Sequence, residues 1–328
     1  MTQQTLEDFL AEWHNDADRL LVHTSGSTGQ PKPLWVEKRR MEASARITCR
    51  FLGLKAGDTA LLCMPLDFIA GKMMVVRALT CELRLVSVEP TAHPMKDVSQ
   101  PIDFAAMVPL QVARTLDDDL QRERLRQVRH LIIGGGAIDE QMAQVLATFP
   151  HAVWSTYGMT ETLSHIALRR LSGPARDDWY TPFEGVAVAL NADGCLCIDA
   201  PAVCAVTLTT NDRAVIHHDG RRFRILGRKD NVICSGGIKL QIEEIERKLA
   251  PHMRVPFIIT KKHDTYLGEA VVLLVTDDDT EKYRTLCSRV LGRYEQPRHI
   301  AAISRVPLTA TGKPARHEAE LLAEALQG

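Results

Sequence analysis

The feature that most constrains this chain is an alternation in its first half. Short apolar runs are bounded by polar punctuation and interleaved with helical patterns. TALLCM (Thr59–Met64), LRLVSV (Leu83–Val88), DFAAMV (Asp103–Val108) and HLIIGG (His130–Gly135) are too short for buried helices and read as buried strands. GKMMVVRALT (Gly71–Thr80) and DEQMAQVLATF (Asp139–Phe149) read as helices, the second with Asp139 as its N-cap. Strands alternating with helices predict an α/β fold built on parallel strands. From about Asp193 the texture changes to short strands, GCLCIDA and AVTLTT, broken by polar turns. After GRKDN (Gly227–Asn231) a smaller unit follows: LQIEEIERKLA as a helix, VPFIITKK and AVVLLVT as strands, then a final helix. The expected organisation is a large α/β domain over 1–227 and a small α+β domain over 228–328, joined by a hinge.

Composition excludes several partners. The formal net charge is -1 over 328 residues, whereas nucleic-acid binding wants a basic face. No apolar run is long enough to span a bilayer. The acidic, amphipathic N-terminal stretch lacks the basic and apolar regions of a signal peptide. The eight cysteines show no paired metal spacing, and Cys195 and Cys197 alternate along a strand as two small buried residues. Scattered free thiols suit a reducing cytoplasm.

Five stretches carry chemistry. HTSGSTGQPKP (His23–Pro33) ends in a lysine but does not match the Walker loop, because no Gly-Lys-Ser/Thr follows. Its glycines can turn backbone N–H groups toward one anion, Thr24, Ser25, Ser27 and Thr28 add hydroxyls, and Lys32 adds charge. A solvated Gly/Ser turn is the bland alternative. In STYGMTET (Ser155–Thr162), Tyr157 offers a flat ring, Thr160 a hydroxyl and Glu161 a hard carboxylate oxygen suited to Mg²⁺. Read alone, the stretch is as well a loop capping a helix through Thr160. Gly134, Gly135 and Gly136 follow a strand, either for close approach to a ligand at its carboxyl end or for a tight turn. In LTTNDRAVI and ILGRKDNVICSGGIK, Asp212 suits ribose hydroxyls and Arg228 ribose or phosphate. In RVPLTATGKPAR, Lys313 sits in a glycine-containing loop from which an amine reaches a phosphoryl group, although exposed lysines are usually solvated surface.

In order and wording these stretches resemble the adenylate-forming superfamily of acyl-CoA ligases, luciferases and peptide-synthetase adenylation domains. The resemblance runs from His23 to Arg316. It implies that Thr24, Ser25, Gly26, Ser27, Thr28, Gly29 and Lys32 form the phosphate loop. Gly134 to Ala137 would lie beside adenine. Tyr157, Gly158, Met159, Thr160 and Glu161 would form the adenylate and Mg²⁺ motif. Asp230 would be the hinge pivot, Gly236 and Gly237 the lining of the thiol passage, and Lys313 the catalytic lysine. The implied substrates are ATP, a carboxylic acid and CoA. The small domain is expected to swing about the hinge between adenylate and thioester formation. Asn211 stands where the family writes glycine in Thr-Gly-Asp, and asparagine tolerates a left-handed turn. Only about twenty residues precede the loop, so a short form is expected, its missing wall supplied by a partner subunit in a homodimer.

MPLDFIAGKMMVVRAL (Met64–Leu79) bears on the acid. Arg77 lies in an apolar run, on one face with Met73 and Met74. It serves equally as a structural ion pair, a snorkelling side chain, or a receptor for a second substrate carboxylate. The segment, with Gly71, is similar to the Pro-Leu-x-x-x-(Ser/Ala)-Gly helix of o-succinylbenzoate–CoA ligases, the menaquinone-pathway members, which carry an arginine there. That resemblance implies an aromatic diacid in an apolar pocket. His165 would add a polar contact, or is a helix-surface histidine. Open alternatives are a ligase for another aryl or fatty acid, one that loads a carrier protein, and a non-catalytic nucleotide or acyl binder.

Overall fold

The expected strands assemble into one central sheet in a computed structural model, which describes residues 4–23, 32–136, 138, 140–309 and 313–326. Thr24–Gly29 of the phosphate-loop motif, Ala137 and Asp139 lie outside the described residues. The chain opens with α1 (Leu6–His14), the hairpin β1 (Arg19–His23) and β2 (Pro33–Glu37), and α2 (Lys38–Leu52). Then come β3 (Thr59–Leu62), α3 (Ile69–Thr80), β4 (Arg84–Ser87), β5 (Phe104–Met107), α4 (Pro109–Leu116), α5 (Asp119–Arg126), β6 (His130–Ile133), α6 (Glu140–Ala147), β7 (Ala152–Gly158), β8 (His165–Arg170) and β9 (Thr181–Pro182). The sheet order is β4-β3-β5-β6-β7-β8-β9. Pairing is parallel from β4 to β7 and antiparallel from β7 to β9. Every residue of β3 and β5 is buried, as the unbroken apolar runs predict for strands covered on both faces.

The second half continues with β10 (Ala187–Leu190), β11 (Cys195–Asp199), β12 (Leu208–Ile216) and β13 (Phe223–Arg228), a four-stranded antiparallel sheet in that order. Last come β14 (Val232–Ser235), β15 (Ile238–Gln241), α7 (Ile242–Leu249), β16 (Phe257–Asp264), β17 (Gly268–Val275), α8 (Glu281–Val290), β18 (His299–Ala302) and α9 (Arg316–Glu324). There β15-β14-β17-β16 pair antiparallel, and β18 joins β17 in parallel. One buried cluster runs from Phe9 to Phe223, and two others lie between Ile233 and Ala323.

Several expectations need correction. β6 ends at Ile133, so the glycines form the turn after the strand. AVTLTT contributes to β12 only from Leu208. Cys195 is buried but Cys197 is half-exposed, because a register shift between them takes the two thiols out of a common burial pattern. Asn211 lies inside β12 and needs no left-handed turn; its amide donates to Asp230 Oδ2 at 3.3 Å.

Candidate active site

β3, β5, β6 and β7 run parallel, so their carboxyl ends open on one edge, where open α/β sheets bind ligands. That edge receives the turn before α3, the glycine turn after β6 and the YGMTE segment, whose Tyr157 and Gly158 end β7. Gly134 donates its N–H to Met107 O at 3.1 Å, and a side chain there would meet Thr156 Oγ1. Gly135 takes φ 80 and Gly136 is exposed, which leaves backbone facing outward at this edge. β1 and β2 pair His23 with Pro33, bracketing the proposed phosphate loop, and Lys32 is exposed.

Tyr157 is half-buried, its ring 5.1 Å from Phe223 and 5.8 Å from Tyr180. Its hydroxyl donates to Asp212 Oδ2 at 2.7 Å. Burial, and then the Asp212 carboxylate, push the Tyr157 hydroxyl well above its ordinary range. Asp212 and Arg228 are cross-strand partners in β12 and β13. Arg228 Nη1 stands 3.5 Å from Asp212 Oδ1, and its Nη2 donates to Asp230 Oδ2 at 3.0 Å. Lys313 is half-buried and lies within electrostatic reach of this pair. Burial and then Arg228 lower its ammonium pKa, against the opposing pull of Asp212. Its backbone is fixed from both sides: Lys313 N–H donates to Thr309 Oγ1, and Thr309 N–H donates to Lys313 O at 2.7 Å. The fold therefore brings together Tyr157, Asp212, Arg228 and Lys313 across about 150 residues of sequence.

Met159 precedes a single 3-10 turn, Thr160–Thr162, so Thr160 heads that short turn and no long helix follows. Thr160 is buried and Glu161 is exposed. Gly158 permits the chain to fold back: a Cβ there would stand 2.3 Å from Ser164 O. Gly71 has a packing reason of its own, since a Cβ would meet Pro65 O at 2.2 Å. Gly236 and Gly237 take φ 57 and 81 in the exposed turn between β14 and β15, and Asp230 is exposed in the middle of the short 3-10 turn Lys229–Asn231.

Arg77 is 2% exposed on α3. Among the described residues no carboxylate pairs with it. Its Nη2 donates to Ser164 Oγ at 2.6 Å, Nη1 faces Met74 Sδ at 3.7 Å, and Nε has no partner among the described residues. The Cys49 and Cys81 thiols and the Phe104 ring surround it, and burial pulls the guanidinium down to about 10. His165 is not on a helix surface. It begins β8, is buried, and hydrogen-bonds Ser164 through Nδ1 and Thr48 through Nε2. Burial and then Arg77 hold His165 far below its usual range, so it is neutral. Sequence reasoning missed Ser164 and Thr48. Ser164 adjoins His165, a signal that was there to read, whereas Thr48 arrives from α2 by tertiary packing alone.

A mixed sheet with a parallel core, the glycine turn and the YGMTE segment at its carboxyl edge, and a separate smaller unit carrying a lysine beside Asp212 and Arg228 is the architecture of an adenylate-forming enzyme. Comparison with known proteins agrees. The AMP-binding enzyme family matches residues 7–194. A 2-succinylbenzoate–CoA ligase of Bacillus mycoides (strain KBAB4) is 24% identical over 340 residues, covering 93% of this chain and 70% of that protein. An acyl-CoA synthetase (AMP-forming)/AMP-acid ligase II-like protein from Dyadobacter fermentans DSM 18053 is 33% identical, with a TM-score of 0.65 over 95% of this chain and 92% of that one. The o-succinylbenzoate–coenzyme A synthetase of Bacillus subtilis, in complex with ATP and magnesium ion, shares the fold at 20% identity, with a TM-score of 0.75 over 91% and 69%. The chain belongs to the AMP-binding enzyme family and is an AMP-forming acid–thiol ligase. Among the described residues no helix is long and apolar enough to cross a membrane.

Proposed function

We propose that this ligase activates o-succinylbenzoate and transfers it to CoA. The observation that carries the reading is Arg77: a buried cation without an acidic partner among the described residues, and with an unpartnered Nε. Burying a charge unpaired is costly, and removing its solvent without replacing its hydrogen bonds adds to that cost. A second carboxylate carried by the substrate supplies both the counter-ion and the missing acceptor, and guanidinium suits carboxylate geometry. The apolar neighbours, Met74 and Phe104, suit an aromatic body. The names of the Bacillus relatives support the same acid.

On this reading the other carboxylate of the substrate attacks the α-phosphorus of ATP, pyrophosphate leaves, and the acyl-adenylate then passes its acyl group to the CoA thiol with release of AMP. Catalysis of this kind is positioning plus charge neutralisation. Tyr157 offers its ring to the base, Asp212 and Arg228 hold the ribose, and Lys313 bridges the attacking carboxylate and the α-phosphate. The Thr24–Gly29 loop with Lys32 orients the leaving pyrophosphate, with Gly134–Gly136 beside the adenine. Thr160 adds a hydroxyl at the phosphates. Mg²⁺, when bound, would neutralise phosphate charge, and the exposed Glu161 carboxylate would hold it through a hard oxygen. The separate buried clusters on either side of Arg228 support a small domain that swings about Asp230, withdrawing Lys313 and bringing Gly236 and Gly237 to the thiol passage.

The test offers ATP, Mg²⁺ and CoA with o-succinylbenzoate, phenylacetate, benzoate or a medium-chain fatty acid, and identifies products by mass. AMP and o-succinylbenzoyl-CoA, with little from the monoacids, is the expected result. Equal turnover of a monoacid refutes the diacid reading, and AMP formed without any acyl-CoA points to a carrier-protein acceptor. ATP bound with no turnover of any acid would return weight to a non-catalytic binder.

A further inference from the structure

We propose that Ser164 is a specificity-determining positioning residue: with His165 and Thr48 it forms a hydrogen-bond chain of a single polarity that aims the Arg77 guanidinium. The inference rests on the diacid reading of Arg77 and goes beyond it to residues outside every motif above.

The polarity follows from the far end of the chain. Thr48 Oγ1 lies 3.1 Å from Ser44 O, a carbonyl that only accepts, so the Thr48 proton is committed there. Thr48 Oγ1 therefore accepts from His165 Nε2, 3.2 Å away. His165 is neutral, so its single ring proton is on Nε2 and its Nδ1 is bare. Nδ1 must then accept the Ser164 hydroxyl proton across 3.1 Å. The lone pairs of Ser164 Oγ are left for Arg77 Nη2 at 2.6 Å. Each group has one role, and all the donors point away from Arg77 toward α2. In the other tautomer Thr48 would turn its proton from Ser44 O to Nε2, and the Nδ1 proton and Arg77 Nη2 would both be donated to Ser164 Oγ, leaving the Ser164 proton to find another acceptor.

Two backbone features place Ser164 for this task. Leu163 takes φ 66, a left-handed conformation that leucine rarely adopts, and is buried there by the fold. Gly158 gives up its side chain to the passing Ser164–His165 backbone. The turn is thus strained and tightly packed at the point where it delivers a hydroxyl to the guanidinium. With Nη2 held by Ser164, rotation about the last bonds of Arg77 is arrested, and the unpartnered Nε keeps one fixed direction. A preorganised cation distinguishes a substrate with a second carboxylate from one without.

The test measures kcat/KM for o-succinylbenzoate and for benzoate in Ser164→Ala, Ser164→Thr, Thr48→Val and Arg77→Lys. Ser164→Ala is expected to lower the ratio of diacid to monoacid kcat/KM by about tenfold or more, the order of one hydrogen bond to a charged group. Ser164→Thr, which keeps the hydroxyl, restores the ratio, and Thr48→Val lowers it by a smaller factor. A Ser164→Ala ratio equal to wild type, while Arg77→Lys collapses it, overturns the orienting chain and leaves the diacid reading standing. A ratio unmoved in Arg77→Lys overturns both. Independent of any variant's folding, ¹⁵N resonances of His165 in the intact enzyme at neutral pH are expected to show a proton on Nε2 alone. A proton on Nδ1 overturns the proposal.

Discussion

Arg77 shows how a single side chain separates stability from function. An isolated arginine in an apolar helix reads equally as half of a structural ion pair or as a receptor. The structure answers part of that question, because the described residues hold no acidic partner for it. A buried ion pair that loses one member costs about 3–5 kcal/mol, whereas removing a buried charge that has no partner relieves desolvation. Arg77→Met is therefore expected to leave urea stability within about 1 kcal/mol of wild type while sharply reducing o-succinylbenzoate turnover. A loss above about 3 kcal/mol would reveal a counter-ion inside the fold. The histidines give a pH prediction. Burial and then Arg129 lower His130 to about 4, and His165 is lowered as well. An unfolded histidine takes its proton near 6.5, so between these values the unfolded state binds more protons. Stability therefore rises with pH up to about 6.5 and is lost progressively as pH falls toward 4. Thermal melts across this window check the slope, and His130→Asn flattens it.

At the scale of elements, the sequence was most legible where periodicity and punctuation agree. The apolar runs became β3 to β6; β3, β5 and β6 need no polar alternation because they are covered, whereas β4, expected to be buried, is the edge strand and has no buried residue. The helix around Met73 and Met74 was legible for the same reason and begins at Ile69. α2, α4 and α5 were not singled out; α5 is dominated by charged residues and α2 carries six among fifteen, and their identity is set by what they pack on. The glycines separate two causes that look alike in sequence. Gly53 ends α2 at φ 67 in open space, so Gly53→Ala costs only the left-handed conformation, about 1 kcal/mol. Gly71 faces the Pro65 carbonyl, which is backbone and cannot move aside. Gly71→Ala is expected to cost about 2 kcal/mol or more in urea unfolding. If the two variants unfold at the same midpoint, the tight packing of α3 on the Met64–Pro65 turn is wrong.

For the whole molecule, the decisive relation is between Lys313 and the Asp212–Arg228 pair, which the last segment of the chain reaches only through the fold. Under the proposed swing, residues on either side of Asp230 must separate. Gln241, 3% exposed, donates to Arg228 O at 2.8 Å, and Glu243 accepts the Arg228 N–H at 3.4 Å. These contacts accompany the arrangement in which Lys313 stands near Asp212 and Arg228. Lys313→Ala is expected to abolish adenylate formation, by about a hundredfold or more, yet spare thioester formation from supplied acyl-adenylate. Loss of both half-reactions together would contradict the swing. The sequence by itself determined the α/β class, the parallel strands and the resemblance to the adenylate-forming family, because these depend on local periodicity and on residue type. Only the tertiary structure decided that Arg77 is buried with no counter-ion among the described residues, that Ser164 reaches it directly and Thr48 through a neutral His165 and Ser164, and that Tyr157 holds Asp212. Such relations are distances between residues far apart in the chain, and no local pattern encodes a distance.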